Sequence, residues 1–173
     1  MFQLMNLKEF ENLIGQDISY ANQVLIDEGF EYHKPLEDPF YTSDSYVDFY
    51  GMPYNLISII TDDKNMINSI TIHFNAIINK SFYDAFILDY GNPDTTQIID
   101  GRDFVGKWTK TNVKDKGEIE HRVRRVTLKM REGKFEENPL FMIWNKKGYQ
   151  IKTLSKHEQN MSTITFRIPT NEF

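Results

Sequence analysis

The densest run of chemistry-bearing side chains is His121-Arg122-Val123-Arg124-Arg125-Val126-Thr127-Leu128-Lys129-Met130-Arg131. Guanidinium forks and ammonium groups at this density suit phosphates or carboxylates. With Val126, Leu128 and Met130 turned inward, Arg125, Thr127, Lys129 and Arg131 share an outer face, a cationic row along a strand. Upstream the parity reverses, because Val123 falls on the outer side while Arg122 and Arg124 fall on the inner one. A bulge near Arg124 would reconcile the two. Two readings of the row stand side by side. It can be a groove for phosphate or for an acidic protein face, with Trp108 and Trp144 as stacking or anchoring groups. It can equally be an edge strand whose charge discourages aggregation, covered by the acidic part of the chain.

No reaction chemistry is comparably concentrated. The histidines, His33, His73, His121 and His157, are scattered, and no H-E-x-x-H spacing occurs. The chain contains 0 cysteines, which removes disulfides, thiolate zinc sites and cysteine nucleophiles together. Asp62-Asp63 reads as a turn, and Asp44 and Asp48 lack the glycine and terminal glutamate of a calcium loop. There is no G-x-S-x-G, no phosphate loop and no dinucleotide fingerprint. No catalytic residue, metal or cofactor is therefore expected; an enzyme would need a site assembled from residues distant in sequence. The aromatic run Tyr41, Tyr46, Phe49, Tyr50, Tyr54 fits strand packing, with Tyr46 and Tyr50 as candidate interface tyrosines.

Charge is unevenly distributed. Residues 1–101 hold 4 basic and 16 acidic residues, net −12, whereas residues 102–134 hold 11 basic and 5 acidic, net +6; the remainder is +1 and the whole chain −5. Such asymmetry can steer a partner, join neighbouring copies, or cancel if the two regions pack together. At 40% hydrophobic and 26% charged, the 173 residues are globular and sufficient for one core. No apolar run approaches the roughly 20 residues of a membrane helix, and MFQLMNLKEFENL has no basic n-region. A cytoplasmic protein, or a virion or assembly component if phage-derived, without membrane contact is expected. Alanine occurs only at positions 21, 76 and 85, the balance of an AT-rich, viral or mobile coding sequence.

Asn6 is placed to cap a first helix through Leu13-Ile14 to Gly15, and Asp17 a second, Ile18 to Glu28, ending at Gly29. A helix-turn-helix for DNA is a poor fit, because the second helix carries Asp17, Asp27 and Glu28 and no cation. FEYHKP, YTSDSYVDFY, YNLISII and MINSITIHF then alternate as four antiparallel strands, with His73 on the wetter face of the last. Ser81 and Asp84 have capping-box spacing for a helix that Gly91 and Pro93 end. After a loop, TTQIIDGRD, strands return: FVGKWTKT, EIEHRVRRVTLKM, LFMIWN, YQIKTL and MSTITFRI.

The fold class is α+β, in two halves, 1–78 and 79–173, each of short helices packed on an antiparallel sheet. A helix pair containing Leu13-Ile14-Gly15, then strands, then a helix ending in Tyr90-Gly91-Asn92-Pro93-Asp94 before more strands, resembles the tandem repeat of beta-lactamase inhibitor proteins and of small outer-membrane-assembly lipoproteins. The resemblance implies a sheet that grips another protein. The functional expectation is a non-enzymatic protein-binding module, an inhibitor, an immunity-type factor or a structural subunit of a larger assembly, a phage particle being one such. It would work through Arg122, Arg124, Arg125, Lys129, Arg131, Trp108, Trp144, Tyr46 and Tyr50. Nucleic acid bound along residues 121–131 is the alternative, and an enzyme without a motif the second alternative.

Overall fold

The computed structural model describes residues 9–34, 39–114 and 117–169, with the side chains of 108–124 outside that description. The chain is α+β: among the described residues, two α-helices pack on a nine-stranded antiparallel sheet of order β1-β2-β3-β4-β9-β8-β7-β5-β6. The first segment is not the α-helix expected from Asn6, which lies outside the described residues. It is a single 3-10 turn, Phe10–Leu13, that buries both its end residues. Gly15, at φ +78, then turns the chain so that its N–H meets the Ile67 carbonyl at 2.8 Å. Helix α1 (Ile18–Asp27) is capped as its sequence indicates, with the Asp17 carboxylate accepting from Ser19 N at 2.8 Å, and it buries Ala21 and Leu25.

Strands β1 (Glu31–His33), β2 (Phe40–Phe49), β3 (Met52–Thr61) and β4 (Ile67–Phe74) form an antiparallel meander. Helix α2 (Lys80–Tyr90) follows. Its cap is Asn79, whose side chain accepts from Phe82 N at 2.8 Å, and not the expected Ser81–Asp84 box. Starting the helix at Lys80 places Ser81 inside the first turn and leaves Asp84 to pair with Lys80 instead. Strand β5 (Thr95–Lys114) begins in the stretch expected to be a loop, because Thr95, Thr96 and Gln97 pair with Ile143, Met142 and Phe141. Polar residues there masked the strand. β6 (Gly117–Glu132), β7 (Phe141–Lys146), β8 (Tyr149–Lys156) and β9 (Met161–Arg167) complete the sheet. The seam between residues before and after α2 is the β4–β9 pairing, where Ile72 faces Ile164 and Ile70 faces Phe166.

One core spans strands β2, β3, β4, β9, β8 and β7. Tyr41, Ile57, Ile72, Ile164, Thr153 and Met142 stand in register from β2 to β7, and Ile59, Ile70, Phe166, Ile151 and Trp144 form the next row. These residues are buried, and Ala21 and Leu25 of α1 and Phe82, Phe86 and Tyr90 of α2 belong to the same cluster. The helices therefore lie on one face. Phe49 sits at the aromatic centre, its ring 4.9–6.5 Å from those of Phe10, Tyr50, Tyr54, Phe74, Phe82 and Phe86. The opposite face carries no helix among the described residues.

Candidate interaction surface

The rows on the uncovered face are mixed in character. Ser58, Thr71, Thr165, Lys152 and Ile143 follow one another from β3 to β7, beside Leu56, His73, Thr163, Leu154 and Phe141. All are half-buried. His73 does face this side, as its alternation indicated, and its Nε2 lies 2.9 Å from Ser58 Oγ. Burial first, and the nearby Lys156 charge second, hold its pKa below the ordinary histidine value.

From this face the β5–β6 hairpin runs outward. β5 pairs with β7 only through Gln97, while its pairing with β6 continues to Lys114↔Gly117. The remainder is a two-stranded arm with no third strand beside it among the described residues. Its register places Met130 opposite Ile99, Leu128 opposite Arg102 and Val126 opposite Phe104, so these side chains prolong the helix-free face. Val126, Leu128 and Met130 were expected to turn inward. They are instead 38%, 39% and 36% exposed, and Phe104 and Val105 are each 55% exposed. The physical reason is the missing layer, since alternation fixes which side a residue faces but no described element packs over that side here.

The expected bulge near Arg124 is also displaced. β6 is in unbroken register, and the extra residues lie on β5, at Asp100 and Val105. The cationic row occupies the other face of the arm, with Arg131 opposite buried Ile98. Much of it is locally engaged: Lys129 Nζ is 2.9 Å from Asp103, and Arg131 reaches Asp100 at 3.1 Å and Glu137 at 2.6 Å. The Arg131 guanidinium holds the Glu137 carboxyl below the ordinary range. Arg125 is exposed. β6 is an edge strand, as one reading of the row required, and its counter-charges come from the facing strand and the next turn.

The other expected contact residues separate. Trp108, Arg122 and Arg124 are placed in the arm by backbone pairing, and their side chains lie outside the described residues. Trp144 is 1% exposed and packs edge-on against Phe86, its Nε1 donating to the Gly91 carbonyl at 2.8 Å; it is a core residue and cannot anchor a partner. Tyr50 is likewise buried, at φ +52 after β2, its hydroxyl donating to Asp89 Oδ2 at 2.5 Å. Tyr46 is 62% exposed, on a bulge of β2 between exposed Asp44 and Asp48.

Sequence reasoning missed a cavity of about 410 Å³ lined by Glu9, Glu11, Tyr50, Asp89, Tyr90, Lys146 and Tyr149. The Tyr90 hydroxyl lies 2.9 Å from both Glu11 oxygens, and the Lys146 ammonium donates to the Tyr90 carbonyl. Burial raises the Glu11 pKa and, with the Glu11 charge next, pushes the Tyr90 hydroxyl far up. Among the described residues its lining is three carboxylates, three tyrosines and one lysine. Glu11, Tyr50 and Tyr90 meet only because the Phe10–Leu13 turn, the end of β2 and α2 pack into one core, so no local signal marked them. Among the described residues no group of three His, Asp and Glu side chains converges as a metal site, and no helix is long and apolar enough to cross a membrane.

No protein family, no curated protein and no solved structure matches this chain.

Proposed function

We propose that the chain is a protein-binding module that engages its partner with the β5–β6 arm and the helix-free sheet face behind it. The observation that supports this reading is the arm itself, a two-stranded ribbon that leaves Val126, Leu128 and Met130 in water. A lone hairpin is marginally stable, and apolar surface removed from water contributes about 25 cal/mol per Å². Docking a protein on that face therefore stabilises both the arm and the contact. The cations on the reverse face would steer an acidic partner more than they would hold it. The resemblance in layout to beta-lactamase inhibitor proteins points the same way, toward an inhibitor, an immunity-type factor or an assembly subunit acting in the cytoplasm or in a particle.

The test is affinity capture from host lysate, with and without nuclease, using the wild-type protein and R125E/K129E/R131E. A stoichiometric protein that survives nuclease, binds the variant at least about tenfold more weakly and loses its salt dependence there supports the reading. Nucleic acid alone, released steeply by salt, would overturn it in favour of a phosphate groove. Unchanged affinity in the variant would remove the cationic row from the mechanism.

A further inference from the structure

Resting on that reading, we propose that the partner of the arm is a second copy of this chain: the cationic arm of one copy lies on the acidic far margin of the next. The nine strands form one open sheet with two margins, β1–β2 at one end and β6 at the other. Their charges are opposite. The segment 102–134, which contains the arm, is net +6, and residues 1–101, which contain the other margin, are net −12. Pairing two arms would juxtapose two cationic rows, and pairing two far margins would juxtapose two acidic ones. Only the mixed contact brings unlike charge together.

The far margin has groups suited to an arm of this chemistry. β1 covers β2 only at Phe40, Tyr41 and Thr42. Past Thr42 the β2 bulge lifts Asp44 and Tyr46 into solvent, with Asp48 exposed beyond them and Glu31 and Tyr32 exposed on β1; Lys34 is the one described cation there. Tyr32 and Tyr46 are 41% and 62% exposed. Carboxylates interleaved with phenol rings accept guanidinium and ammonium groups by charge-assisted hydrogen bonds and by cation–π contact. A bulge prevents strand pairing at that point, so the contact is made by side chains. Because donor and acceptor are different surfaces, each copy keeps one of each after the first contact. The assembly is therefore head to tail, either a closed ring or a growing chain.

Sedimentation velocity of the full chain over a range of protein concentrations, at roughly 0.05 M and 0.5 M salt, tests this. Association beyond a dimer at low salt, weakened at least about tenfold at high salt, is expected. R125E/K129E and D44K/D48K should each sediment as monomers, and mixing the two should restore association, because each supplies the charge the other lost. Circular dichroism identifies a variant that fails to fold, for which R125Q/K129Q or D44N/D48N is substituted. A wild-type monomer throughout, association indifferent to both reversals, or a mixture that stays monomeric would overturn the proposal. A monomer that still captures a host protein through the arm would overturn this inference alone and leave the protein-binding function standing.

Discussion

His73 carries the clearest pH signature of any single residue here. Burial beside β3, with Lys156 adding to it, disfavours the imidazolium in the folded chain, so its pKa falls below the ordinary 6.5. Between that depressed value and 6.5 the unfolded chain binds more protons than the folded one, so stability rises with pH through this window and is lost as the pH drops through it. Above it the two states bind protons alike at this position. Glutamine can retain the hydrogen bond to Ser58 without taking up a proton. Denaturant titrations at about pH 7.5 and 5.5 should show the wild type losing more stability on acidification than H73Q, and equal losses would dismiss His73 as the titrating group. The facing of His73 could be read from Ile70, Ile72 and Phe74 alternating with it. The exposure of Val126 could not, although the same alternation identified its side, because burial depends on a layer that local sequence does not specify. Tyr50 and Trp144 failed as surface candidates for the complementary reason: large aromatics suit interfaces and cores equally well.

Element ends are local, and most were legible: Asp17, Gly29 and Gly91 begin or end helices where their chemistry indicates. The start of α2 was not, since Asn79 and Ser81 are both competent caps two residues apart and only the packing of Phe82 and Phe86 into the core selects the phase. Asn79→Ala should therefore cost about 1 kcal/mol in thermal or denaturant unfolding, and Ser81→Ala within about 0.5 kcal/mol of nothing. A reversed order would restore the Ser81 box. The displaced bulge teaches a related lesson. Parity within β6 suggested an irregularity near Arg124, yet a bulge belongs to a strand pair, and the extra residues, Asp100 and Val105, sit on the partner strand. The β5 stretch Thr95–Gln97 looked like a loop for the same reason, since its place in the sheet is set by Phe141, Met142 and Ile143.

At the scale of the molecule, the α+β class was legible from alternating periods, and the charge asymmetry from counting, but the sequence order of strands gave no notice that one hairpin would leave the sheet. That departure separates folding from function. The core cluster draws on both helices and on strands β2, β3, β4, β7, β8 and β9 and contains none of the described side chains of the arm. The arm's described polar links to the rest are surface pairs, Arg102 with Glu158 and Arg131 with Glu137, of a kind worth about 0–1 kcal/mol each. Replacing residues 103–127 with an Asn-Gly turn should accordingly leave unfolding stability within about 1 kcal/mol of the full chain, while also removing unfavourable exposed apolar surface. The same variant, which lacks Arg125 and the outer arm, should bind its partner at least about tenfold more weakly and associate less at low salt. If it instead unfolds or drops several kcal/mol, the arm is a structural brace and Phe104 and Val126 serve the fold. If it stays folded and still binds, the contact surface must be sought on the helix-free face alone, along Ser58, Thr71, Thr165 and Lys152.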